Sequence, residues 1–145
     1  MRGVAERAGV PLTIESAGTH DYHVGEKPDS RMHAAATARG VHMRSRGRQV
    51  ASKDLEVGRY DLVVAMDRAN LAGLQRLARQ RADQPPAHLR LFGEVLDDSW
   101  PEEVPDPYYG GEDGFEFVLD MLAAGCPLWL EQLGEAGRAG PPTAE

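Results

Sequence analysis

Apolar residues crowd together most densely in the stretch Tyr60-Asp61-Leu62-Val63-Val64-Ala65-Met66. Apolar side chains at successive rather than alternate positions predict a strand covered on both faces, as in a parallel sheet. Asp67 follows directly, placed to cap a helix whose Leu71, Leu74 and Leu77 share one face. Gln84-Pro85-Pro86 breaks that pattern, and Leu89 to Phe92 forms a further short strand. Upstream, Met1 to Gly9 reads as the tail of a helix stopped by Gly9 and Pro11, and Leu12 to Glu15 as another short strand. Thr19 to Asp29 is a loop punctuated by Gly25 and Pro28. Asp29 or Ser30 caps a helix that Gly40 stops just after Arg39. An acidic, proline-containing loop from Glu94 to Gly114 leads into a last helix, from about Phe115 toward Leu133, with Phe115, Val118, Leu119 and Leu122 on one face. Pro127 predicts a kink or break in it near Gly125, because an interior proline costs a helix about 3 kcal/mol. The Gly/Pro/Ala-rich segment 134–145 reads as a disordered tail.

Strands alternating with helices predict an α/β fold with a parallel sheet, built as one domain over residues 1–133, with no internal repeat and no linker. Ligands of such sheets sit at the C-terminal ends of the strands. Ser16-Ala17-Gly18-Thr19 and Asp67 both follow strands directly, so both are expected at one cleft, beside the loop that carries Asp106.

Charge narrows the classes. A net charge of −7 argues against a general nucleic-acid binder, which needs a basic face. Arg39, Arg44, Arg46 and Arg48 nonetheless cluster, either as a solvated helix end and loop or as a basic rim that draws in an anionic substrate. No apolar run approaches a membrane span, and the first residues lack the apolar stretch of a secretory signal. A lone cysteine fits a reducing cytoplasm. Nothing in the sequence fixes an oligomeric state.

Among residues that could carry chemistry, Asp106 is held between Pro105 and Pro107, which restrict the backbone on either side of its carboxyl; taken alone, that pattern reads first as an acidic surface turn and second as a positioned proton donor. His20 and His23 flank Asp21 in a short Gly-bounded loop with no third ligand group, which predicts no metal site. Gly110, Gly111 and Gly114 match no phosphate-cradling fingerprint and read as turn residues. Asp67 and Asn70 read as a helix cap and a first-turn polar residue. Cys126, beside Pro127-Leu128-Trp129-Leu130, sits in an apolar setting that quiets a thiol.

The run Val104-Pro105-Asp106-Pro107-Tyr108-Tyr109-Gly110-Gly111, then Gly114-Phe115-Glu116, resembles the low molecular weight protein-tyrosine-phosphatases, as do Ser16-Ala17-Gly18-Thr19, Arg48-Gln49-Val50 and Ala65-Met66-Asp67. The resemblance implies a three-layer sandwich around a four-stranded parallel sheet of order 2-1-3-4. It implies a cytoplasmic enzyme acting on a phosphotyrosine-containing protein or a small aryl phosphate through a phosphocysteine, with no metal or organic cofactor and with neither nucleic acid nor membrane as partner. It makes Asp106 the general acid and then the base. Tyr108 and Tyr109 become the cleft mouth, Tyr22 the aromatic wall where many members carry Trp, and Ser16 a hydroxyl supporting the phosphate loop. Ser45 stands where some relatives carry His.

The family attacks phosphate with a Cys in a Cys-x5-Arg loop after its first, central strand. Residues 1–145 contain no such loop: Cys126 is the only cysteine, and Gln132 occupies the sixth position after it. The expectation is a tyrosine phosphatase in a form carrying that loop upstream, while residues 1–145 alone are inactive and, short of the central strand, unstable. Two other readings are a non-catalytic phosphatase-like binding protein and an arsenate reductase of the same fold, whose relay of cysteines is missing here.

Overall fold

The computed structural model describes residues 1–20, 24–56, 58–80, 88–107 and 111–139, with backbone alone at 111–112 and 135–139. Four α-helices, α1 (Arg2–Ala8), α2 (Ser30–Ala38), α3 (Arg68–Arg79) and α4 (Gly111–Ala139), surround two short strands, β1 (Val63–Ala65) and β2 (Leu89–Leu91). The strands pair in parallel, with Val63, Val64 and Ala65 opposite Leu89, Arg90 and Leu91. The Val63 amide donates to the His88 carbonyl at 3.0 Å. Single-turn 3-10 helices follow at Ser52–Leu55 and Phe92–Val95.

The apolar run around β1 is covered on both faces, as its composition requires. Ala65 and Val63 pack with Leu55, Leu74 and Ala78 on the α3 side. Leu62 and Val64 pack on the other side with Phe92, Met121, Cys126 and Trp129, where α4 supplies most of the surface and Met1 and Val4 of α1 join it. The result is three layers, α3 against the sheet against α4 with α1. The buried Trp129 indole donates to the Phe92 carbonyl at 3.1 Å, which anchors α4 to the end of β2. Gly125 makes this possible: a Cβ there would lie 2.6 Å from the Phe92 ring. Arg39, just past α2, ties that helix to α4 through Glu116 and, at 2.8 Å, Asp120. Arg31 lies 5.0 Å over the Phe115 ring.

Helix starts follow the capping residues. Asp29 accepts from the amides of Arg31 (2.9 Å) and Met32 (3.4 Å), and Asp67 from that of Asn70 at 2.7 Å. Gly9 and Gly40, at φ 69° and 74°, end the first two helices in the left-handed conformation.

Two expectations need correction. The last helix does not break near Gly125; it runs unbroken through Pro127 to Ala139, into the segment expected to be tail. Pro127 and Ala123, the residue one turn before it, are both exposed, so the carbonyl that loses its donor can meet water. Meanwhile Met121, Cys126 and Trp129 hold the buried face together across the proline. Leu12–Glu15 is not a strand. Its burial alternates as a strand's does, Leu12 and Ile14 half-buried and Thr13 and Glu15 exposed, but it joins no ladder. The chain first meets the sheet's neighbourhood at a parallel bridge of Gly18 with Gln49.

Candidate active site

Three chain segments meet at the C-terminal end of β1. The first is the acid loop. The Val104 amide donates to the Met66 carbonyl at 2.9 Å, which seats Pro105 and Asp106 beside the strand end. Arg68, in the first turn of α3, holds the same loop from below: its amide donates to Glu103 at 3.2 Å and its guanidinium pairs with Glu102. Gly93 lets the loop pass, since a Cβ there would stand 2.2 Å from the Glu102 carbonyl oxygen. Gly114, in the first turn of α4, also approaches the loop, though less closely, with 3.3 Å from a would-be Cβ to the Pro107 carbonyl oxygen.

The second segment is Thr19–His20. The bridge to Gln49 fixes it, with the Gly18 amide on the Arg48 carbonyl at 2.8 Å and the Val50 amide on the Gly18 carbonyl at 2.9 Å. Behind that bridge the buried Asp54 carboxylate accepts from the Arg48 guanidinium (3.0 Å) and the Ala51 amide (2.8 Å). Burial pushes the Asp54 carboxyl up, but the Ala51 amide and the Arg48 charge outweigh it and hold it below the ordinary carboxylate range. The third segment is the first turn of α3, where the Asn70 side chain donates to the Thr19 hydroxyl at 3.2 Å.

Together these segments enclose a cleft of about 810 Å³ whose wall includes Thr19, His20, Gln49, Asp67, Asn70, Arg76 and Asp106. Asp106 is exposed at its mouth, between Pro105 and the half-buried Pro107. The arrangement presents a carboxyl on a restrained loop to a ligand seated over a strand end, with the Arg76 cation on the same wall.

Ser16 is exposed, three residues before Thr19, and does not line this cleft. Tyr22, Tyr108 and Tyr109 lie outside the described residues, as do Asp21 and His23. Cys126 is buried among Phe92, Met121 and Trp129, apart from the Asp106 cleft. Of the arginine cluster, Arg39 and Arg48 are taken up as ties to Glu116, Asp120 and Asp54, while Arg44 and Arg46 stay exposed. Thr19 belongs to the run expected at the cleft, whereas Gln49 and Arg76 carried no sequence signal for it, and Asn70 read only as a first-turn residue. Its contact spans 51 positions and has no local pattern.

A family model, low molecular weight phosphotyrosine protein phosphatase, matches residues 1–139. A low molecular weight protein-tyrosine-phosphatase of Streptomyces coelicolor is 38% identical over 143 residues, covering 96% of this chain and 86% of that protein. A low molecular weight phosphotyrosine protein phosphatase of Schizosaccharomyces pombe is 36% identical over 118 residues, 79% of this chain and 72% of that one. Among solved structures, a protein tyrosine phosphatase from Entamoeba histolytica superposes with a TM-score of 0.80 at 32% identity, covering 92% of this chain and 84% of its own.

Proposed function

The chain belongs to the low molecular weight phosphotyrosine protein phosphatase family, and from that premise we propose that it forms the acid half of a phosphotyrosine phosphatase site. Asp106 is its general acid and base. In the complete reaction a cysteine thiolate attacks phosphorus, and the bond from phosphorus to the phenolic oxygen breaks. Asp106 gives its proton to the departing phenolate. Asp106, now a carboxylate, then takes a proton from water as that water attacks the phosphocysteine. Phosphate leaves and the thiolate returns. No metal or organic cofactor enters this sequence. Tyr22, Tyr108 and Tyr109 are the aromatic surfaces for the phenyl ring, and Ser16 supports the phosphate loop.

The observation that carries this reading is the convergence of the Asp106 loop, Thr19 and Asp67, the last just past the end of β1, on one cleft. Residues 1–145 hold no Cys-x5-Arg loop, so they are proposed to turn nothing over by themselves and to do so once joined to a segment that carries one. The test compares hydrolysis of p-nitrophenyl phosphate and of a phosphotyrosine peptide by residues 1–145 and by a form extended at the N-terminus with a strand and that loop. The extended form should show a burst of phenol and the chain alone none; turnover by the chain alone would overturn the assignment. The second reading, a non-catalytic binding protein, draws support from the burial of the chain's single thiol away from the cleft. It expects phosphotyrosine-peptide binding without turnover.

A further inference from the structure

Once the ties of the fold are made, two cations of the arginine cluster are left over. Arg39 pairs with Glu116 and Asp120, and Arg48 with Asp54 and Glu15. Arg44 and Arg46 are exposed and, among the described residues, enter no ion pair. On a chain of net charge −7 such a pair is a local exception. We propose that Arg44 and Arg46 form a docking rim for the substrate, which takes an acidic stretch about three to five residues from the phosphotyrosine along an extended chain. This rests on the phosphatase reading and adds the sequence feature that such a substrate would carry.

The backbone holds the two side chains in place. Burial alternates along their segment, with Met43 and Ser45 half-buried and Arg44 and Arg46 exposed, so both arginines leave one face of an extended chain. On the inner face the Ser45 hydroxyl accepts from the Arg2 guanidinium at 3.1 Å. Just beyond, the Gly47 amide donates to the Glu26 carbonyl at 2.9 Å, and the Gly47 carbonyl accepts from the Gly25 amide at 2.6 Å. The same segment then reaches Gln49, which bridges to Gly18 and lines the Asp106 cleft. Extended chain advances about 3.3 Å per residue, which puts Arg46 about 10 Å and Arg44 about 17 Å from Gln49. An extended substrate covers the same span in about three to five residues.

Charge selects the occupant. The acid loop brings Glu102, Glu103 and Asp106 to its own side of the cleft, where Arg68 alone pairs with two of them. An acidic stretch is repelled there and drawn to Arg44 and Arg46. Each guanidinium fork matches a carboxylate, two N–H donors to two oxygens. A nucleic acid would meet the negative charge of the whole chain with only these two free cations to offset it.

The test uses the form extended with a Cys-x5-Arg loop and phosphotyrosine peptides with glutamates at the third to fifth positions, on the N-terminal or the C-terminal side. Peptides with glutamines or lysines at the same positions are the controls. On one side, kcat/KM should be about three- to tenfold higher with glutamate than with glutamine and lowest with lysine, and the difference should fade in high salt. Arg44→Gln/Arg46→Gln should erase the preference and leave p-nitrophenyl phosphate hydrolysis unchanged, because that substrate has nothing to reach the rim and neither arginine lines the cleft. Arg44→Glu/Arg46→Glu should turn the preference to lysine, a gain that a misfolded protein cannot show. With the cysteine of the added loop changed to serine, fluorescence anisotropy ranks the same peptides without turnover. A protein that ranks them but hydrolyses none refutes the catalytic reading and keeps the rim; one that hydrolyses them all alike refutes the rim and keeps the catalytic reading. A preference that survives Arg44→Gln/Arg46→Gln, or an oligonucleotide that displaces the labelled peptide better than a free glutamate peptide does, would also overturn the rim.

Discussion

The C-terminal end of β1 and its edge opposite β2 are built differently. On the cleft side the chain is pinned at every approach: Val104 to Met66, Arg68 to Glu102 and Glu103, Asn70 to Thr19, and Asp54 to Arg48 and Ala51. Gly93 and Gly125 let backbone and ring come within distances that any Cβ would forbid. Along the edge opposite β2, the segment around Leu12 and Ile14 is held to its neighbours by side chains, Arg2 on the Ile14 carbonyl and Tyr60 and Arg48 on Glu15. The difference teaches which half of the site is preorganised. The general acid proposed at Asp106 must be positioned before substrate arrives, and the ties of its loop serve that role. Along the other edge, residues 12–17 make no backbone–backbone hydrogen bond among the described residues.

The largest effect that would break this comparison is at Asp106. In the form that carries a Cys-x5-Arg loop, Asp106→Asn should lower kcat/KM on phenyl phosphate, which reports phosphorus transfer to the cysteine, by about 10²–10⁴-fold, as loss of a general acid does. The loss should shrink for p-nitrophenyl phosphate, whose phenolate departs without help; an equal loss on both would assign Asp106 a merely structural part. Next comes packing. Gly125→Ala drives a methyl into the Phe92 ring and should destabilise by about 1–3 kcal/mol in urea melts. Gly93→Ala should cost as much and also lower kcat, because the atom it meets is the backbone of the acid loop.

Asp54→Ala should cost about 1–3 kcal/mol by stranding the Ala51 amide and the Arg48 charge. Its pH dependence sharpens the point. The folded carboxyl titrates below its unfolded value near 3.9, so its contribution is complete above that value and is lost as pH falls through the folded pKa. Melts of Asp54→Asn should therefore lose less stability between pH 6 and pH 3 than those of the parent. Asn70→Ala should cost about 0.5–1.5 kcal/mol and loosen Thr19, read as faster amide exchange there. Smallest is Arg68→Ala at the exposed pair with Glu102: melting should barely change, and any change should vanish in high salt.

Much of this layout was legible along the chain where the cause is local. The apolar run at 60–66 gave β1, and Asp29 and Asp67 sit where caps were expected. Asp106 reaches the cleft because a proline-bounded loop after the last strand has few places to go. What stayed illegible is non-local or permissive. The Leu12–Glu15 alternation is a strand pattern, but strands need a ladder partner, and the described residues provide none there. Pro127 reads as a breaker, yet it falls on an exposed turn of a helix whose buried face is continuous. Arg39 reached Glu116 and Asp120, 77 and 81 positions away, with no signal in its own neighbourhood to separate a tie from a substrate rim.

The most direct measurement is the burst of phenol on mixing substrate with the form extended by a strand and Cys-x5-Arg loop, with Asp106→Asn and with residues 1–145 in parallel. The expected result is a stoichiometric burst followed by steady turnover, a slowed burst and slowed turnover in Asp106→Asn, and neither phase from residues 1–145. Turnover by residues 1–145, or an Asp106→Asn protein as fast as its parent on phenyl phosphate, would contradict the assignment of this chain as the acid half of a phosphatase site.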